Sequence, residues 1–257
     1  MILQKSIDQY WICSNTSARW LILLYVRTEK RLTLVFRGSA NTKDWIVDAS
    51  GLKKTPSEVK EFAGGSVNVH MGFSNYLFGG VSDGRYDKII NLLKQVYDQD
   101  EFKDYELFIT GHSLGGGLSQ LLGFTLAGSP SADFIPKPVK CVTYASPTVG
   151  NNHFYNHFQK LEKENKLRHI RVSNEGDVVP TIPSIRYYQT GINLHVDDNK
   201  RVQINHKHAK KSFFSQVGIS SGSKHSLTSY EGRLFTEDNE DIVGMDTDEL
   251  YEKYSDF

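Results

Sequence analysis

The chain has 257 residues, and its 30 Lys/Arg and 30 Asp/Glu cancel, so no net charge draws it to nucleic acid or an anionic membrane. At 39% hydrophobic and 23% charged residues it reads as an ordinary globular chain, long enough for one large α/β core. Only Cys13 and Cys141 are present, which excludes a disulfide framework, suits a reducing compartment and leaves their pairing open. At the N-terminus, Lys5 and Asp8 interrupt any apolar signal segment, which favours the cytoplasm over a secreted mature form. A trimmed chain restarted at Met would look the same. The longest strongly apolar run, WLILLYV at 20–26, is far short of the roughly 20 residues a membrane span needs. It pairs naturally with RLTLVFRG (31–38), where Leu32, Leu34 and Phe36 share one face and Thr33 and Val35 the other. A loop-rich stretch is expected to about residue 66. YDKIINLLKQVYD (86–98) then sets Tyr86, Ile89, Ile90, Leu93 and Tyr97 on one helical face.

The alternation continues. YELFIT (105–110) is a short buried strand, and LGGGLSQLLGFTLAG is a helix with Leu118, Leu121, Leu122 and Thr125 on one side. VKCVTYA (139–145) is a strand, NHFYNHFQKLEKE (152–164) a helix and LRHIRV (167–172) a strand. This order predicts a mostly parallel central sheet flanked by helices, as a single α/β domain over 1–257. Its last part, from about 231, is an acidic tail with ten Asp/Glu against Arg233 and Lys253. Residues 200–211 are locally basic, with five Lys/Arg. Both charged stretches read as solvated surface.

The chemistry concentrates in ITGHSLGGG. A strand, then Gly-His-Ser-Leu-Gly, then a helix is the pattern of a nucleophile elbow. Ser113 occupies the sharp turn, and Gly111 and Gly115 leave room for neighbouring backbone. The helix starting beside it offers unpaired N–H groups and a positive dipole end, where a developing oxyanion is stabilised. A serine needs a base, and the base needs an orienting acid. On this fold the acid and histidine follow the serine in the chain. Asp177 lies in the turn after LRHIRV, with Glu175 as its rival. Among the histidines, His153, His157 and His169 precede that acid, and spacing alone leaves His195, His206, His208 and His225 open.

Several blocks together carry a resemblance: LVFRGSANTKDWIVD (34–48), VHMGFSNY (69–76), ITGHSLGG, VTYASPTVGN (142–151) and NEGDVVPTIP (174–183). In this order and spacing the chain resembles the class 3, or fungal-type, triacylglycerol lipases of the α/β-hydrolase fold. The resemblance implies Ser113 as nucleophile, Asp177 as acid and His225, in KHSLTSY, as base. It implies an oxyanion hole from Ser39, after Phe-Arg-Gly, and the backbone N–H of Leu114. Residues 40–54 resemble the family's lid, and Trp45, Ile46 and Val47 could form the apolar side of a short lid helix that touches a lipid interface. One departure stands out. Family members often carry His-x-Gly where this chain has Gln189-Thr190-Gly191, so contacts around the site are expected to differ there.

The expected reaction is ester hydrolysis through an acyl-enzyme, most simply on acylglycerols, with no metal or organic cofactor. His195, His206 and His208 lack the cysteine or carboxylate that would complete a metal-binding spacing. Phospholipid, galactolipid and feruloyl-type esters are alternative substrates. A non-catalytic lipid-binding module is the remaining alternative, and a complete Ser–His–Asp set argues against it. The expected partner is a lipid or ester substrate, with transient contact at a lipid interface, no nucleic acid and no transmembrane segment.

Overall fold

The computed structural model describes residues 9–13, 20–38, 53–79, 84–205 and 223–255. Strands β1 (Gln9–Cys13), β2 (Leu21–Val26) and β3 (Arg31–Phe36) come first. The short pair β4 (Lys53–Lys54) and β5 (Val69–His70) brackets helix α1 (Ser57–Ala63), and α2 (Met71–Phe78) and α3 (Arg85–Tyr97) follow. Then come β6 (Glu106–His112), α4 (Leu114–Gly128), β7 (Val139–Tyr144), α5 (Asn152–Lys163), β8 (Leu167–Asn174), β9 (Ile192–Val196) and β10 (Val202–Asn205). The C-terminal segment carries α6 (Leu227–Leu234), α7 (Glu240–Val243) and α8 (Thr247–Tyr254).

The main sheet runs β1-β2-β3-β6-β7-β8-β9-β10. From β3 to β9 its neighbours are parallel, and antiparallel pairs close both edges. Leu21 pairs with Phe36, so the β2–β3 hairpin keeps Leu32, Leu34 and Phe36 on one buried face. In β7, Val139 to Thr143 are all buried, as expected of a central parallel strand covered on both sides. One sheet face, through Leu34, Ile109 and Cys141, packs under α1 to α5. The other, through Val142, Ile170 and Leu194, packs against Tyr230, Leu234 and Tyr251 of the C-terminal helices.

Three readings from sequence need correction. The acidic stretch from about 231, read as solvated surface, is helical and buries Leu234, Leu250 and Tyr251 against the sheet. The stretch expected to be loop as far as residue 66 contains α1. Its seven residues fully bury only Val59, too little to establish a helical period. Helix α4 does not present one apolar side: Gly115 to Ala127 are all buried. The rings of Phe62 and Phe154 both lean on Phe124, so α4 is enclosed from more than one direction. Cys141 is a free, buried thiol directed at the Ser119 carbonyl, 3.7 Å away.

A buried polar knot ties α5, β8 and α8 together. Glu162 is 1% exposed and accepts from the Tyr251 hydroxyl at 2.6 Å, while the His169 N–H donates to that hydroxyl at 2.7 Å. Burial pushes the Glu162 carboxyl from 4.5 up to about 8. The folded state therefore keeps a proton that the unfolded chain has released, and stability falls as pH rises from 4.5 to 8. Burial, and then Arg171, hold His169 well below 6.5, which has the opposite effect but only below pH 6.5. Between pH 6.5 and 8 the Glu162 contribution falls by roughly 2 kcal/mol, offset in small part near pH 8 by Lys137, which burial lowers to about 8. Glu162→Gln should flatten it. Urea titrations at both pH values check this, and an equal fall in the variant would sink the assignment.

Candidate active site

Strand β6 ends at His112 and α4 begins at Leu114, so Ser113 must turn the chain within one residue. It does so at φ 58°, ψ −123°, a conformation that non-glycine residues rarely adopt. Three hydrogen bonds hold it there. The Ser113 N–H donates to the Tyr144 carbonyl at 3.0 Å, and its own carbonyl accepts from Gly116 and Gly117 at 2.9 and 3.2 Å. The glycines on either side permit close crossing of backbones. A Cβ on Gly111 would lie 2.5 Å from the Gly115 carbonyl oxygen, and one on Gly115 would lie 2.6 Å from that of Phe36. As the first helical residue, Leu114 has an N–H with no acceptor inside the helix.

The two other residues arrive from distant segments. His225 sets Nε2 2.9 Å from Ser113 Oγ and Nδ1 2.9 Å from Asp177 Oδ2. Asp177 is 5% exposed, in the loop after β8. Its Oδ1 accepts from the Val179 N–H at 3.0 Å, and its Oδ2 accepts from the Tyr230 hydroxyl at 2.6 Å. A carboxylate held on both oxygens cannot rotate away from the imidazole. Burial, and then Asp177 itself, keep the Tyr230 hydroxyl protonated well above its usual range, so it remains a donor.

Of the rival candidates, Asp177 holds His225, and His225 meets the serine. His169 is enclosed and bonds Thr143 and Thr190 at 2.9 and 3.0 Å. His195 lies with Nδ1 3.0 Å from Ser173 Oγ. Ser39, Trp45, Ile46, His206 and His208 lie outside the described residues. The described chain ends one residue short of Ser39, at Gly38, where an added Cβ would lie 3.0 Å from the His112 carbonyl oxygen, beside the elbow. At the departure from the family pattern, Gln189 donates to the Pro180 and Ser146 carbonyls at 2.6 and 3.2 Å, bracing the loop after Asp177.

Sequence reading gave no role to two neighbours of this group. His112 Nε2 is 2.7 Å from the His225 carbonyl oxygen, and Tyr230 clamps Asp177. Their only signals are position: one immediately precedes the serine, and the other lies five residues after the histidine.

A mostly parallel sheet, helices on both faces and a serine on a strained strand-to-helix turn together define an α/β-hydrolase fold. Within that class, the profile of the class 3 lipases matches residues 33–187, and the chain belongs to the class 3 lipase family. It is similar to phospholipase A1-II 4 of Oryza sativa subsp. japonica, with 27% identity over 203 residues, 72% of this chain and 50% of that protein. It is also similar to the chloroplastic galactolipase DONGLE of Arabidopsis thaliana, with 23% identity covering 66% of this chain and 39% of the other. The chain spans about half the length of the curated relatives it first matches. Among solved structures, Rhizomucor miehei triacylglyceride lipase superposes with a TM-score of 0.64 at 23% identity, covering 85% of this chain and 78% of that one.

Proposed function

We propose that the protein is a carboxylic ester hydrolase, a lipase that cleaves acylglycerols through Ser113, His225 and Asp177. The observation that carries this reading is the unbroken path from Ser113 Oγ to His225 to Asp177, with 2.9 Å at each contact. His225 takes the serine proton as Oγ attacks the ester carbonyl. The Leu114 N–H, at the positive end of α4, and Ser39 hold the oxyanion. The imidazolium then protonates the departing alcohol, leaving an acyl group on Ser113. Water, deprotonated by the same imidazole, releases the acid. Asp177 keeps the Nδ1–H tautomer and stabilises the imidazolium. We assign the segment expected at 40–54, with Trp45 and Ile46, to a lid over this site that ends where β4 begins at Lys53, and residues 1–257 to one domain.

A second substrate class has its own support. Relatives named as a phospholipase A1 and a galactolipase favour a polar-headed acyl lipid in place of triacylglycerol.

The test is a p-nitrophenyl ester series from acetyl to palmitoyl, then triacylglycerol, phosphatidylcholine and galactolipid in emulsion. Cleavage of long chains with a rate jump at the emulsion boundary is the expected result, and the preferred lipid chooses between the two classes. Cleavage of short esters alone would remove the lipase reading and the lid with it. Failure of a fluorophosphonate to label Ser113 would remove the catalytic reading altogether.

A further inference from the structure

We propose that His112, the residue before the nucleophile, is a positioning residue that holds the base through its backbone. This rests on the reading of His225 as the base. A carbonyl oxygen only accepts, so His112 Nε2, 2.7 Å from the His225 carbonyl, carries a proton. The neutral ring then has a bare Nδ1. That atom lies towards the exit of β3, 3.9 Å from where a Cβ on Gly38 would be. The ring leans on the base itself, with centroids 4.7 Å apart and planes at 39°. It also meets Tyr230 nearly edge-on, at 5.9 Å and 75°. One imidazole on the nucleophile's own strand thus touches the base and the residue that clamps the acid.

Other ties on this turn run through Lys224, next to the base. Asn174 Nδ2 donates to the Lys224 carbonyl at 3.4 Å, and Lys224 Nζ pairs with the exposed Asp198 at 2.7 Å. The base has to carry a proton from Ser113 to a leaving alcohol, and small displacements weaken both transfers. Its charge matters too. His225 becomes a cation in the transition state, and a neutral ring beside it does not oppose that charge. Burial, and then the proximity of His225, favour the neutral form of His112. Among the described residues, titratable groups around it include His225 and Tyr230 of the C-terminal segment, Asp177 after β8 and Tyr144 beside it in register on β7.

Two variants separate positioning from packing. His112→Leu keeps bulk and removes the donor, whereas His112→Gln restores an N–H at similar reach. On a soluble p-nitrophenyl ester, the Leu variant should lose about 10- to 100-fold in kcat with KM within about twofold, and Gln should recover most of the loss. Unfolding midpoints confirm that both are folded. An unchanged kcat in a folded Leu variant, or equal losses in both variants, would overturn the proposal. A second readout needs no substrate: histidine-selective ¹⁵N NMR of the wild-type chain. The Nε2–H tautomer at His112 is expected, and the Nδ1–H tautomer would overturn the proposal even in an active esterase. An Nε2–H tautomer in a protein inert on every ester would instead count against the hydrolase reading and leave the contact standing.

Discussion

Ser113→Ala is expected to lower kcat on any accepted ester by about 10⁶-fold while leaving the fold intact. Alanine retains the Cβ, so the strained turn at φ 58° and its three backbone hydrogen bonds persist. What disappears is the oxygen that the proposed mechanism acylates. His225 Nε2 loses its 2.9 Å partner but keeps Asp177 on the other side. Residual turnover about 10³-fold above the background reaction should survive, because the N-terminus of α4 still polarises a bound carbonyl. Ser113→Ala combined with His225→Ala should be no worse than Ser113→Ala alone, since the two act as one unit. Burst kinetics and intact-mass detection of the acyl-enzyme check both statements. A Ser113→Ala protein that still accumulates an acyl-enzyme would end the nucleophile assignment.

Asp177→Asn should cost about 10⁴-fold in kcat with little change in KM. Two contacts decide which way the amide points. The Val179 N–H donates to Oδ1 at 3.0 Å, so an amide NH₂ on that side would face another donor. The NH₂ group therefore turns to the side occupied by Oδ2, where the Tyr230 hydroxyl can rotate to accept from it and His225 Nδ1 must also accept. That stabilises the Nε2–H tautomer of His225, which cannot take the serine proton. The loss should be partly recovered at high pH or by added small bases that bypass the imidazole. A pH–rate profile of the variant measures this, and an activity within tenfold of wild type would reject Asp177 as the orienting acid.

The legibility of this fold from sequence was uneven, for identifiable reasons. Strong periods were readable: the alternation of Leu32, Leu34 and Phe36, and the helical face of Tyr86, Ile89, Ile90 and Leu93. Helices α1, α6 and α7 were not, because each is eight residues or shorter and is stabilised by what it packs on rather than by its own pattern. The elbow was readable because the chain itself spells it out, strand to serine to helix. The base was not, because 112 positions separate Ser113 from His225 and spacing cannot say which loop returns. Resemblance to a family singled out His225. The Tyr230 clamp and the His112 carbonyl contact needed three dimensions, since each joins groups more than fifty residues apart.

The order of these parts along the chain has a consequence for biosynthesis. The serine is complete once β6 and α4 have packed, but the imidazole and the phenol that clamps the acid come from residues 225 and 230, beyond every described strand of the sheet. A growing polypeptide therefore carries the Ser113 hydroxyl without its imidazole partner until residue 225 has been added. On the proposed mechanism, turnover begins only once the segment carrying Tyr230, Leu234 and Tyr251 has docked on the sheet, so activity would report that this docking has occurred.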